Sequence, residues 1–195
     1  MRAGFARSRL ERIVLPRLTP IDPPYEAGLA AALAGAPPGV SPLLLRTIAH
    51  NPRVLEMIRV SSLLDRGSLD RRHCEIVILR ITARCASGCD WRIRASFFAG
   101  RDELRKSEMA AIAYGGASDP AWSQPERTLI RLVDELHDTA RISDTLWSEL
   151  RQHWSDAQLV ELVVVVGVYH TIAFVANGLC VEGRIVDDEL EGART

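Results

Sequence analysis

The sequence is nearly without lysine. Lys106 stands alone among 24 basic residues, and the remaining positive charge is arginine, a residue choice that carries little functional weight. With 25 acidic residues the formal net charge is -1, which leaves no basic face for nucleic acid or for an anionic membrane surface. A signal-peptide run is also missing, because Arg7, Arg9, Glu11 and Arg12 interrupt MRAGFARSRLERIVL. A cytoplasmic location is therefore expected. No clean membrane span is present either: the most apolar stretch, Leu159 to Leu179, contains Glu161, His170 and Asn177. It reads as a helix buried on nearly all sides. Alternating strand patterns bounded by hairpin turns are absent, as are repeats and low-complexity segments. Cysteine is scarce, with four residues at 74, 85, 89 and 180. In a cytoplasmic chain these are expected as reduced thiols with at most one redox-active pair, not as a disulfide framework.

What is there suits one all-α domain. The chain has 195 residues, 47% of them hydrophobic, enough to bury a sizeable core. Residues 1–22, broken by Pro16 and Pro20, read as an arm lying across its own or a neighbouring subunit, residues 23–188 as the helical domain, and 189–195 as a tail. Helices are predicted around Glu26 to Leu33, from Ser41 to Ala49, and after Asn51-Pro52, a cap residue followed by Pro at the first helical position, to about Leu64. Others are predicted from Asp70 to about Arg84, from near Cys89 to Gly100, over Leu104 to Tyr114, and over Ser143 to Gln152. Ser123 with Glu126, and Ser155 with Gln158, have capping-box spacing and start two more.

The chemistry concentrates in Glu75 to Arg94, EIVILRITARCASGCDWRIR. Cys85 is expected at the end of one helix and Cys89 in the first turn of the next, where unpaired N–H groups stabilise a thiolate. Such a thiolate can attack a peroxide and a second thiol can resolve the sulfenic acid. Against this, cysteines four apart in an apolar segment are often only small buried hydrophobes. Metal binding is not expected, because the nearest histidine, His73, is not placed to join the thiols. Glu75 reads either as a buried proton shuttle or, preferred on sequence, as an exposed partner of Arg71 or Arg72. Arg80 is expected to pair with Glu75 or to hold a substrate carboxylate. Trp91 is most simply a packing anchor. Cys74 and Cys180 read as core residues, and His50, His137 and His153 as surface or cap residues. His170, inside the apolar helix, is a candidate acid or base.

Glu75, Leu79-Arg80, Arg84-Cys85 and Trp91, with the upstream LLLRTIAHNPRVLEMI and the downstream VGVYHTIAFVANGL, resemble the carboxymuconolactone decarboxylase and alkylhydroperoxidase D-like superfamily over about Leu15 to Val186. The resemblance implies an all-helical protein that forms trimers or hexamers, with sites near subunit interfaces and no metal or organic cofactor. Its peroxidase branch uses a Glu, a CxxC pair and a His. This sequence has CxxxC, Cys89 at the usual Tyr position, and Arg94 in place of the His, where a guanidinium cannot relay protons.

Three functional expectations follow. The first is a thiol-dependent hydroperoxide reductase in which Cys89 or Cys85 attacks and the other resolves, Glu75 assists, and a thiol reductant is the partner. The second is a cofactor-free lyase or isomerase on a small carboxylate or lactone, with Arg80, Trp91 and Arg94 binding the acid and Glu75 or His170 moving the proton. The third is an oligomeric binding protein without chemistry.

Overall fold

The computed structural model describes residues 12–35, 40–60, 67–98, 104–182 and 184–186. At residues 59, 60, 89, 90, 97 and 98, and in the two strands, it describes only the backbone. Helices dominate: α1 (Ala27–Ala34), α2 (Pro42–Ile48), α3 (Pro52–Val60), α4 (Arg71–Arg84), α5 (Gly88–Phe98), α6 (Lys106–Tyr114), α7 (Gln124–Thr139), α8 (Asp144–Leu150) and α9 (Asp156–Gly178). The fold is all-α. Local chemistry sets the starts. The Ser41 and Asp70 side chains accept from the backbone N–H of the third residue of α2 and α4, the Glu126 carboxylate reaches back to the Ser123 N–H at 2.8 Å, and Ser155 and Gln158 cap each other.

One minor element departs from the sequence reading. Strands β1 (Arg12–Val14) and β2 (Arg184–Val186) pair antiparallel, with Ile13 opposite Ile185. Three residues are too short to display a period of two, so no alternation announces them. The arm that follows β1 lies over its own chain: Arg17 N–H donates to the Leu179 carbonyl at 2.9 Å and Ile21 N–H to the Arg46 carbonyl at 3.2 Å.

α4 is the central element. Ile76, Val77, Ile78, Leu79 and Ile81 are all fully buried, each contributing on the order of 1.5–3 kcal/mol. Its neighbours run parallel to it. Arg72–Glu126, Arg80–Asp134 and Arg84–Asp138 are three ion pairs with the same sequence separation of 54, a constant offset that only helices pointing the same way can keep over three turns. α9 follows the same direction. Ser68, ahead of α4, bonds Glu161 near the start of α9, and the Cys85 carbonyl, at the end of α4, accepts from Asn177 near the end of α9. The C-terminal ends of three helices therefore meet at one end of the domain.

α9 corrects the expectation of burial on nearly all sides. Leu159, Leu162, Val165, Val166, Tyr169, Ile172 and Ala173 face the core, while Val160 (66% exposed), Val164 and Phe174 (65%) face out. By length and composition this 23-residue helix could cross a membrane, but its inner face packs on α4 and α2.

Candidate functional site

Among the polar groups described along α4, one is built on Glu75 and another on Cys85. Glu75 and Cys85 are ten residues apart, about 15 Å along the axis.

The first cluster is Glu75, Arg94 and Tyr169. Arg94 Nη1 donates to both carboxylate oxygens of Glu75 at 3.0 and 2.9 Å, and Nη2 donates to the Tyr169 hydroxyl at 2.8 Å. Glu75 is 2% and Arg94 1% exposed, so the carboxylate is buried, contrary to the preferred sequence reading of an exposed partner for Arg71 or Arg72. The reason is α5, which delivers a cation to the buried stripe of α4, and a buried carboxylate is tolerable only when paired. Burial pushes the Tyr169 phenol up to about 12, so it remains a donor or acceptor but not a base. Both Nη atoms of Arg94 already donate to protein partners.

Arg80 does not pair with Glu75. Its Nε and Nη2 donate to the two carboxylate oxygens of Asp134, each at 2.8 Å, and Nη1 donates to the carbonyls of Ile112 and Gly115. This guanidinium ties α4 to α7 and to the end of α6, and at 5% exposure it is also committed to the fold. Trp91 is half-buried and borders a cleft of about 460 Å³ with Leu104, Met109, Ala110 and Tyr114.

The second cluster sits where the three helices end. Cys85 caps α4. Ala86 follows with φ of 51°, and the bonds Ser87 N–H to Thr82 carbonyl and Ala86 N–H to Ala83 carbonyl, both 3.0 Å, form a Schellman motif. With the Asn177 bond to its own carbonyl at 2.7 Å, the backbone of Cys85 is held from both sides. Its Sγ lies 3.8 Å from Nδ1 of His137, on α7. The His170 ring, on α9, lies 5.3 Å from the His137 ring, with Phe174 4.3 Å behind it. One ligand-type atom from each of Cys85, His137 and His170 falls within 4.8 Å of the others, and all three residues are half-buried.

Burial pushes the Cys85 thiol up to about 11, with Arg84 opposing. Burial, followed by Arg84 and His170, holds the His137 imidazole below its ordinary value. At neutral pH the pair is a thiol facing a neutral imidazole, an acceptor for the thiol proton. Cys74 is inert by comparison: burial, then the nearby Glu161 and Glu75 charges, push its thiol up to about 12.

The structure thus brings Cys85 and His170 together but keeps Glu75 away from Cys85, so Glu75 cannot assist that thiol directly. The Cys89 side chain lies outside the described residues, as does the end of α3 predicted to reach Leu64. His137 was the residue missed, classed as surface or cap. One signal was available: it is three residues beyond Asp134 and seven beyond Ile130, so it shares a helix face with residues turned toward α4.

These helices form the AhpD-like all-α fold. A protein of unknown function from Agrobacterium tumefaciens, described as a candidate antioxidant defence protein AhpD, superposes with a TM-score of 0.62 at 19% identity, over 67% of this chain and 90% of that one. An uncharacterized peroxidase-related protein from Silicibacter sp. TM1040 gives 0.56 at 15% identity, over 72% and 75%. No family model and no curated protein matches the sequence.

Proposed function

We propose that this protein is a thiol-dependent oxidoreductase that reduces small hydroperoxides, with Cys85 as the attacking thiol and His137 as its base. The observation that carries this reading is the 3.8 Å approach of the Cys85 sulfur to His137 Nδ1. A thiol raised to about 11 is a poor nucleophile by itself, and a neutral imidazole in contact removes that obstacle by accepting its proton as the sulfur attacks.

The steps balance. His137 accepts the thiol proton, the sulfur attacks the terminal peroxide oxygen, and the O–O bond breaks. The leaving alkoxide takes a proton from the His137 imidazolium, giving an alcohol and a sulfenic acid on Cys85. The Cys89 thiol, in the first turn of α5, then condenses with the sulfenic acid, forming a disulfide and releasing water. An external dithiol returns the two electrons by exchange. His170, beside His137, keeps the base oriented. The names of the two structural neighbours, AhpD and peroxidase-related, support the same reaction class. A homo-oligomer, expected from the family resemblance, is part of this reading.

The test is a free-thiol count and an intact mass before and after one equivalent of cumene hydroperoxide. The wild-type protein is expected to lose two thiols and the mass of two hydrogens. Cys85→Ser should lose neither, Cys89→Ser should stop at one added oxygen, and His137→Asn should slow the reaction by a factor on the order of 10²–10⁴, the usual worth of general-base catalysis. Equal oxidation in the Cys85→Ser variant would remove the reading.

A further inference from the structure

A second capacity lies in the same group of side chains and does not depend on the redox reading. We infer that Cys85, His137 and His170 form a binding site for a borderline-soft divalent cation such as Zn²⁺, one ligand coming from the end of each of α4, α7 and α9.

Zinc binds thiolate sulfur at about 2.3 Å and imidazole nitrogen at about 2.0–2.1 Å in tetrahedral geometry, which places sulfur and nitrogen ligands about 3.5 Å apart. Cys85 Sγ and His137 Nδ1 are already 3.8 Å apart. The third ligand atom lies within 4.8 Å of both, so closing the triangle needs a shift of about 1 Å, within the reach of a half-buried side chain rotating toward the centre. The two imidazoles are tilted by 52° instead of stacked.

The frame suits a ligand set. The Cys85 carbonyl is pinned by Asn177, and Arg80–Asp134 and Arg84–Asp138 lock α7 beside α4. Asp134 and Asp138, on the same helix as His137, are held in ion pairs by Arg80 and Arg84. Arg84, the nearby cation, is paired with Asp138 and Asp134. Three protein ligands, all half-buried, leave a fourth position on the solvent side, the arrangement of an open rather than a purely structural site. One thiol and two imidazoles select Zn²⁺ or Co²⁺ over the oxygen-seeking Mg²⁺ and Ca²⁺. Binding replaces the thiol proton, which leaves to solvent, by a metal–sulfur bond. A bound cation would also occupy the Cys85 sulfur, so metal and hydroperoxide compete for one atom.

Co²⁺ is the probe, titrated into the reduced, untagged full-length protein without oxygen. One equivalent is expected to give thiolate-to-cobalt charge transfer in the near ultraviolet and the visible bands of a tetrahedral site, both removed by competing Zn²⁺. Cys85→Ser should abolish the charge transfer. His137→Ala and His170→Ala should each weaken binding by about 100-fold, the upper end of what even an outer-sphere partner is worth, whereas Cys74→Ser should leave the spectrum unchanged. Because serine is nearly isosteric, circular dichroism should show Cys85→Ser folded. No charge transfer at stoichiometric Co²⁺, or charge transfer that persists in Cys85→Ser, would overturn the site. The hydroperoxide test is run without metal, so failure of either result leaves the other standing.

Discussion

Ala86 is the residue on which the geometry of Cys85 turns. At the position after the cap of α4 its φ is 51°, in the left-handed region where a Cβ crowds the following carbonyl and where glycine is the usual occupant. The strain persists because two 3.0 Å hydrogen bonds close the motif around it. α9 ends in the same way, with Cys180 at φ of 49° and Val181 N–H donating to the Ala176 carbonyl at 3.0 Å. With Ala140 at φ of 56° after α7, all three helices that meet at the thiol end in non-glycine left-handed residues. Ala86→Gly should raise stability by up to about 1 kcal/mol, the relief of the Cβ clash less the entropy of a freer unfolded chain. Urea denaturation monitored by circular dichroism measures it. A loss of stability would mean that the Ala86 methyl makes packing contacts worth more than the strain.

At the scale of elements, the buried group of Glu75, Arg94 and Tyr169 joins α4, α5 and α9 through one guanidinium. Such groups respond asymmetrically to mutation. Arg94→Leu leaves the Glu75 carboxylate in the core without this cation, which should cost about 3–5 kcal/mol, whereas replacing both partners by apolar residues should be far less harmful. The expected result is a large fall in the urea midpoint for Arg94→Leu and a substantial recovery in Glu75→Leu/Arg94→Leu. If the double variant is no better than the single one, the ion pair is not the main partner of Arg94. Helix starts were legible because caps act within three residues: Ser41, Asp70, Ser123, Ser143 and Ser155 all stand where their side chains are used. The pairings were not. Which carboxylate meets Arg80 depends on α7 lying parallel to α4, and the offset of 54 that fixes Asp134 has no local trace in the chain. The same holds for the site. The Cys85 end of the helix could be read from the break at Ala86 to Gly88, whereas His137 joins it only through the packing of a helix 52 residues away.

For the whole molecule, the outer face of α9 decides what a single chain leaves unfinished. Val160, Val163, Val164 and Phe174 are exposed on it, at spacings that keep them on one side of the helix. Gly167 sits in the middle of this stripe with nothing within 4 Å of the position its Cβ would take. Met57, 54% exposed on α3, extends the apolar surface, and Met57, Val164, Gly167 and Thr171 line a groove of about 410 Å³. A stripe of branched side chains around a glycine can accept the same stripe from a second α9 crossing it, so a two-fold pair of copies buries both faces with one set of residues. A membrane is a poorer fit, because Glu161 and Asn177 lie on the same helix and its inner face is already packed. The expectation is a homo-oligomer built on an α9–α9 contact, observed as a mass of at least two chains by light scattering at micromolar concentration. Val164→Glu should convert it to a folded monomer, since a carboxylate at the centre of an apolar contact meets no partner. Trp147→Glu, on the exposed side of α8, should leave the mass unchanged. A monomeric wild-type protein would show instead that the α9 face is solvated in the free chain. Because His170, beside Cys85, packs against Phe174 of this helix, a monomeric Val164→Glu variant also reports whether a neighbouring copy shields the thiol. Faster alkylation of Cys85 in the monomer, followed by mass spectrometry, is the expected outcome, and an unchanged rate would place the contact clear of the site.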